Sequence, residues 1–158
     1  MANMTNYNAD IPLKQTPYRN TKVTMDKSQA DVRRLLRKYD VRDVQNTVRA
    51  KGKLSLTFAR PDFVGHLNVY QIEVQALTID DQGERQASRM LYWWMKWKLE
   101  IISFGIADFE TEMLPYQLIS GEQGHQTVAE AVLPQLMAGA TEIDPFQPAL
   151  PSGHQDSR

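Results

Sequence analysis

The chain has no cysteine. Disulfides, thiolate metal sites and cysteine nucleophiles are therefore excluded, and a reducing compartment is compatible with the composition. It also lacks an excess of either charge: 18 Lys and Arg stand against 19 Asp and Glu. No whole-molecule field draws it to nucleic acid or to an anionic membrane, so any such binding has to come from a local patch. Long apolar runs are missing too. The most apolar stretch, Met90 to Ile106, is broken by Lys96, Lys98 and Glu100, which is too polar for a membrane span. Met1 to Asp10 is polar and Asn-rich, without the basic start, apolar run and small-residue cleavage site of a signal peptide.

What is present is enough for one domain. A chain of 158 residues falls near the usual domain size and can take roughly two thirds of its unfolded surface out of water. Residues 1–20, with Pro12 and Pro17, read as an extended polar arm, and Lys22 to Thr24 as a short edge strand. Asp26 with Gln29 resembles a capping box. Val32, Leu35, Leu36 and Tyr39 then recur at helical spacing up to Asp40. Three alternating segments follow, around Val44–Ala50, Leu54–Phe58 and Tyr70–Ala76. They predict an antiparallel three-stranded sheet with one wet face.

From about Glu84 to Leu114 the pattern predicts one long helix. Met90, Trp94, Trp97, Ile101, Gly105 and Phe109 lie on one stripe, and Gly105 reads as a kink or a close-packing point. Thr127 with Glu130 forms a second capping box before a short helix bent at Pro134. The expected fold is thus α+β: an N-terminal helix, a three-stranded antiparallel sheet, a long central helix and a short C-terminal helix in two layers. Residues 21–140 make the domain, and 141–158, with Pro145, Pro148 and Pro151, a Pro-rich polar tail. Trp94, Trp97 and Ile101 are expected in the core against Leu54, Leu56, Phe58, Ile72 and Val74. The apolar face of the long helix is wide, so a homodimer burying Leu91, Met95, Ile102 or Ile106 is expected as well.

Motifs that carry chemistry are mostly absent. There is no Walker-type loop, no Gly-rich dinucleotide turn and no G-x-S-x-G elbow, and no cofactor is expected. His66, His125 and His154 are far apart in loops or tail, where a lone histidine is ordinarily a surface residue. Asp108 and Glu112, one helical turn apart, suit a hard cation, but no histidine accompanies them and a solvated acidic helix end explains them equally. The three tryptophans Trp93, Trp94 and Trp97 have the chemistry to stack bases, against which stands their place on the stripe expected to face the core.

The best lead is the first helix. Arg33, Arg34, Arg37 and Lys38 cluster within two turns, with Arg19 and Lys22 upstream. Such a face meets phosphates, which dominate nucleic-acid affinity, although most helices have a charged outer face and Asp31, Asp40 and Asp43 dilute this one. The order helix, three strands, helix is that of the double-stranded-RNA-binding domain. The lysine-rich start of that domain's second helix is missing here, where the helix begins Glu84-Arg85-Gln86.

The run Trp97-Lys98-Leu99-Glu100, then Gly105-Ile106-Ala107-Asp108-Phe109-Glu110-Thr111-Glu112-Met113-Leu114-Pro115-Tyr116, followed by Gly124, Thr127 and Val128, resembles a family of small uncharacterised proteins encoded in phages and prophages. With the helix Lys27 to Asp40, the resemblance covers about residues 16–140; Asp108 and Met113 stand where that family has Thr and Phe. It carries no activity or catalytic residues. It implies a phage origin and a place in the cytoplasm of an infected bacterium. The resulting expectation is a non-enzymatic accessory protein acting on DNA or RNA in replication, recombination or transcription. The alternative is a host-takeover or counter-defence protein that binds a bacterial host protein; a small metal-dependent enzyme using Asp108 and Glu112 comes third.

Overall fold

In the computed structural model, residues 12–49, 52–121 and 124–139 are described. The expected tail over 141–158 and the first residues of the expected arm lie outside them. The chain folds as α1 (Met25–Leu36), β1 (Arg42–Arg49), β2 (Lys53–Pro61), β3 (Leu67–Gln75), α2 (Asp81–Ser103), α3 (Phe109–Met113), β4 (Leu118–Gly121), β5 (Gly124–Thr127) and α4 (Val128–Met137). This is the α+β architecture that the hydrophobic periods predict.

The sheet has the order β1-β2-β3, antiparallel throughout, with Val48 opposite Leu54 and Leu56 opposite Ile72. Because side chains alternate along a strand, Leu54, Leu56 and Phe58 share one face, and that face is buried. The opposite face carries Lys53, Thr57, Gln71 and Glu73, with Lys53 and Glu73 forming an ion pair at 2.5 Å. The small sheet β4–β5 falls where Tyr116 to Ile119 reads as a short strand and Gly121 to Gly124 as a turn, and it touches the main sheet through a bridge between Tyr70 and Gln117.

α1 and α2 lie side by side in the same direction on the apolar face. Arg89 reaches Asp31 at 3.3 Å, and two turns further on the Tyr39 hydroxyl donates to the Leu99 carbonyl at 3.1 Å. The core joins Val32 and Leu36 of α1, Leu56 and Phe58 of β2, Tyr70 and Ile72 of β3, and Leu91, Met95 and Leu99 of α2, closed by Phe109 and Met113 of α3. Phe109 meets the Tyr70 ring edge-on at 5.7 Å, and the Arg60 guanidinium lies 4.2 Å over the Phe109 ring while pairing with Glu110.

Several expectations are corrected. α1 is capped by Thr24, whose hydroxyl accepts from the Lys27 amide at 3.2 Å, rather than by Asp26. That role also replaces the edge strand expected at Lys22–Thr24. The long helix stops at Ser103. Gly105 has φ +73°, and the amides of Gly105 and Ile106 return to the carbonyls of Ile102 and Ile101 at 3.0 and 3.2 Å. These two bonds are a Schellman stop. Nothing lies within 4 Å of where a Gly105 Cβ would stand, so this glycine serves backbone geometry and not close packing.

The phase of α2 is corrected most. Met95 and Leu99 are fully buried and Leu91 nearly so, whereas Trp97 is 64% exposed, Phe104 83%, Trp93 38% and Met90 37%. Trp94 and Ile101 are half-buried, Trp94 with its ring edge-on to Tyr116 at 5.1 Å. Of the expected core of Trp94, Trp97 and Ile101, Trp94 packs partly against the core cluster, and the rest gives way to an aliphatic row on nearly the opposite side of the helix from Trp97. For the same reason Leu91 and Met95, expected in a homodimer contact, are covered by the chain itself.

Residues 12–20 lie along α2. Gln86 donates to the Pro17 carbonyl and Thr16 hydroxyl at 2.7 and 2.8 Å, and Gln82 to the Arg19 carbonyl at 2.8 Å. Arg19 donates to the Thr78 hydroxyl at 3.0 Å, and Tyr18 stacks on Trp93 at 6.3 Å. This strap covers the outer face of the first half of α2 and leaves the second half open. The second capping box is present as expected: Thr127 and Glu130 cap each other's backbone amides, and Pro134 lies inside α4. Among the described residues, no helix is long and apolar enough to cross a membrane.

Candidate nucleic-acid interface

α1 displays cations because its other residues are taken by packing. Ser28, Val32 and Leu36, four apart, face the sheet and are buried, and Leu35 and Tyr39 pack partly against the same core. Arg33, Arg34, Arg37 and Lys38 are left in solvent. At 100° per residue, Arg33 and Arg37 form one row on the side away from α2, and Arg34 and Lys38 a second row on the side towards it. The helix runs on as a 3-10 turn, Arg37–Tyr39, and ends at Asp40 in the left-handed region, φ 56°. Basic side chains in the last turn face the negative end of the helix dipole, which favours their charge there.

The four cations are not equivalent. Asp31 gathers Lys27 at 3.0 Å, Arg89 at 3.3 Å and Arg34 at 3.8 Å. The hydrogen bond from Lys27 is the largest influence on the Asp31 carboxyl. With the attraction of the neighbouring cations it outweighs burial and holds the pKa below the ordinary value. Arg34 is accordingly drawn towards a carboxylate. No carboxylate among the described residues pairs with Arg33, Arg37 or Lys38, and Asp40 pairs with Arg42 at 3.8 Å instead. Of the upstream cations, Arg19 is committed to Thr78 in the strap and lies apart from this face.

The other candidates disperse. Asp108 is the N-cap of α3 and accepts from the Thr111 amide and hydroxyl, both at 2.8 Å. The Thr111 amide is the main cause of its depressed pKa. Glu112 pairs with Lys98. The two carboxylates thus have separate structural partners, and among the described residues no group of three or more His, Asp or Glu is placed to hold a metal. His66 is exposed beside Asp62 at 3.4 Å. Burial pushes the Asp62 carboxyl up, but amide hydrogen bonds from His66 and Val64 more than offset this and its pKa falls. The pair organises its own loop. His125 lies at an open depression with Leu67, Asn68 and Leu118.

The aromatic groups carry cations on their faces. Arg89 lies 4.4 Å from the Tyr92 centroid and 5.4 Å from that of Trp93, and Lys96 is 5.4 Å from Trp93. These cations are paired, Arg89 with Asp31 and Lys96 with Glu100. The order helix, three strands, helix is realised, yet the start of α2 carries Asp80, Asp81 and Glu84. A duplex-RNA reader needs positive charge at that place. Compared with known proteins, the chain matches no family model, no curated protein and no solved structure.

Proposed function

We propose that this chain is a non-enzymatic phage accessory protein that contacts the phosphates of DNA or RNA through α1, with Arg33, Arg37 and Lys38 as the principal contacts and Arg34 as a weaker one. The observation that supports this is the set of exposed cations without carboxylate partners on the side of α1 remote from the core. Unneutralised charge of this kind releases counterions from a nucleic acid, whereas a paired cation has to give up its partner first. The phage setting rests on the resemblance over residues 16–140 alone.

The test is a titration of single- and double-stranded oligonucleotides at two salt concentrations. The wild type should bind at low salt with a steep salt slope. Arg33→Glu with Arg37→Glu should weaken binding to all sequences alike, because phosphate contacts position rather than specify. Each lost contact should flatten the slope by about one unit. Asp31→Asn should act in the opposite direction by freeing Lys27, Arg34 and Arg89. No binding at low salt defeats the reading. The alternative of a bacterial protein partner has its own support in the exposed Leu133, Leu136 and Met137 of α4, and then gains ground.

A further inference from the structure

The outer stripe of α2 has an internal symmetry. Met90 and Phe104 each stand seven positions from Trp97, and Trp93 and Ile101 each stand four. On a helix of 3.6 residues per turn all five fall on one stripe about 21 Å long. The apolar pattern therefore reads the same in both directions from Trp97. An antiparallel pair related by a two-fold axis demands that property, since residue i of one copy meets residue j of the other and j meets i.

We infer that this stripe is covered by a second copy of the same chain, with the two α2 helices antiparallel and the two-fold axis at Trp97. Met90 then faces Phe104 of the other copy, Trp93 faces Ile101, and Trp97 meets Trp97. The flanking charges fit this occupant. Lys96 and Glu100 pair within one helix along the α1 side of the stripe. In an antiparallel pair the same flank of both copies comes together, so Lys96 of each copy lies as near Glu100 as Lys96 of the other. Each flanking lysine brings its own carboxylate, Glu100 for Lys96 and Glu112 for Lys98, so that like charges do not meet unneutralised. A run of one sign there would have opposed self-association.

The extent of the surface agrees. Trp97 at 64% and Phe104 at 83% exposure together leave roughly 300 Å² of ring surface in water. With Met90, Trp93 and Ile106, the last 76% exposed, the patch reaches the upper end of what a free monomer shows. It is large enough to be the apolar centre of an interface of about 800 Å² per partner. The strap reaches into the N-terminal end of the stripe: Tyr18 stacks on Trp93, which like Met90 keeps little more than a third of its surface in water, so the open part centres on Trp97 and Phe104. This surface is not the one expected from the sequence, of which only Ile106 remains. The pairing of the two copies requires no nucleic acid.

The test measures mass by sedimentation equilibrium over a concentration series, with two kinds of variant. Wild type should be dimeric at micromolar concentration. Phe104→Glu places two carboxylates in the apolar contact and should raise the dissociation constant at least tenfold, with an unchanged far-UV spectrum because residue 104 is solvent-exposed. Cross-linking supplies an independent readout, since the chain has no cysteine of its own. Met90→Cys mixed with Phe104→Cys should be joined by a bis-maleimide reaching about 10 Å, the spacing of packed helices. Each variant alone should cross-link far less. A monomeric wild type at high micromolar concentration overturns the inference, as does a dimer indifferent to Phe104→Glu or one in which Met90→Cys links to itself as readily as to its partner. Protection of Trp97 appearing only when an oligonucleotide is added overturns it too.

Discussion

The inner and outer rows of α2 are equally apolar in sequence and opposite in fate. The inner row, Ala87, Leu91, Met95 and Leu99, is buried against α1 and the sheet. The outer row, Met90, Trp93, Trp97 and Phe104, has the larger rings and remains open. Size explains the assignment. α2 runs directly beside α1 over the sheet, with side chains from both helices filling one layer, and unbranched or γ-branched aliphatics fill such a layer in low-energy rotamers. Two indoles in the same space would force the helices apart. Hydrophobicity thus identified a wide apolar face, and the packing of a neighbouring helix decided which half of it became core.

The sharpest way to break that comparison is truncation. Met95→Ala should cost about 2–5 kcal/mol, the range for a long core aliphatic, while Trp97→Ala in the isolated monomer should stay within about 0.5 kcal/mol, as at other surface positions. Urea midpoints at low protein concentration measure both, and equal losses would return Trp97 to the core.

A second contrast lies in the glycines at the two ends of the open helix. A Cβ on Gly83 would stand 2.0 Å from the Thr78 carbonyl oxygen, a backbone atom that cannot swing aside. Gly83→Ala should therefore cost about 3 kcal/mol or more and loosen the start of α2. Gly105→Ala meets no atom and has only its positive φ to maintain, so it should cost about 1 kcal/mol. Thermal unfolding of the two variants under one condition orders them, and the reverse order would refute the reading of both turns.

The smallest effect concerns acid. The Asp31 carboxyl is depressed by Lys27 and the neighbouring cations. Its contribution is therefore full above the unfolded carboxylate value, about 3.9, and is lost as pH falls through the lower folded value. Stability of the wild type should begin to drop below about pH 4. Asp31→Asn should be less stable at neutral pH and flatter below it, read from urea midpoints at stepped pH. A variant whose curve parallels the wild type would show that Asp31 contributes nothing through its charge.

The pattern of the sequence carried far in some regions and failed in others for physical reasons. Alternation in Leu54–Phe58 and Tyr70–Ala76 located β2 and β3, because one wet face leaves a period of two. The Thr127–Glu130 box located α4, since both halves of a reciprocal cap are local. In α1 the same kind of signal misled by two residues: Asp26–Gln29 had the form of a box, but Thr24 holds the amide. The strap was invisible because its contacts are distant in sequence: two run to the carbonyls of Pro17 and Arg19, which any sequence would supply, and the pairing of Tyr18 with Trp93 or Arg19 with Thr78 follows no local period. Of the candidate site, the cations of α1 were legible as the residues left over from the apolar period. The pairing of Arg34 with Asp31 three positions before it was legible too, as the dilution of the face by Asp31; the arrival of Arg89 from α2 on the same carboxylate was not, because it depends on how the two helices pack.

Those strap contacts also determine a sequence of events in time. The side-chain hydrogen bonds that tie residues 16–19 to the rest of the fold span 59 to 70 positions along the chain, and their partners on and before α2 must already be in place. Loop closure of this length costs entropy before any contact forms, whereas the hairpins β1–β2 and β2–β3 close locally. The strap will be the last segment to assemble and the first to detach, so its amides should exchange with solvent well below the global unfolding free energy, while those of β2, paired on both edges, should report the whole molecule.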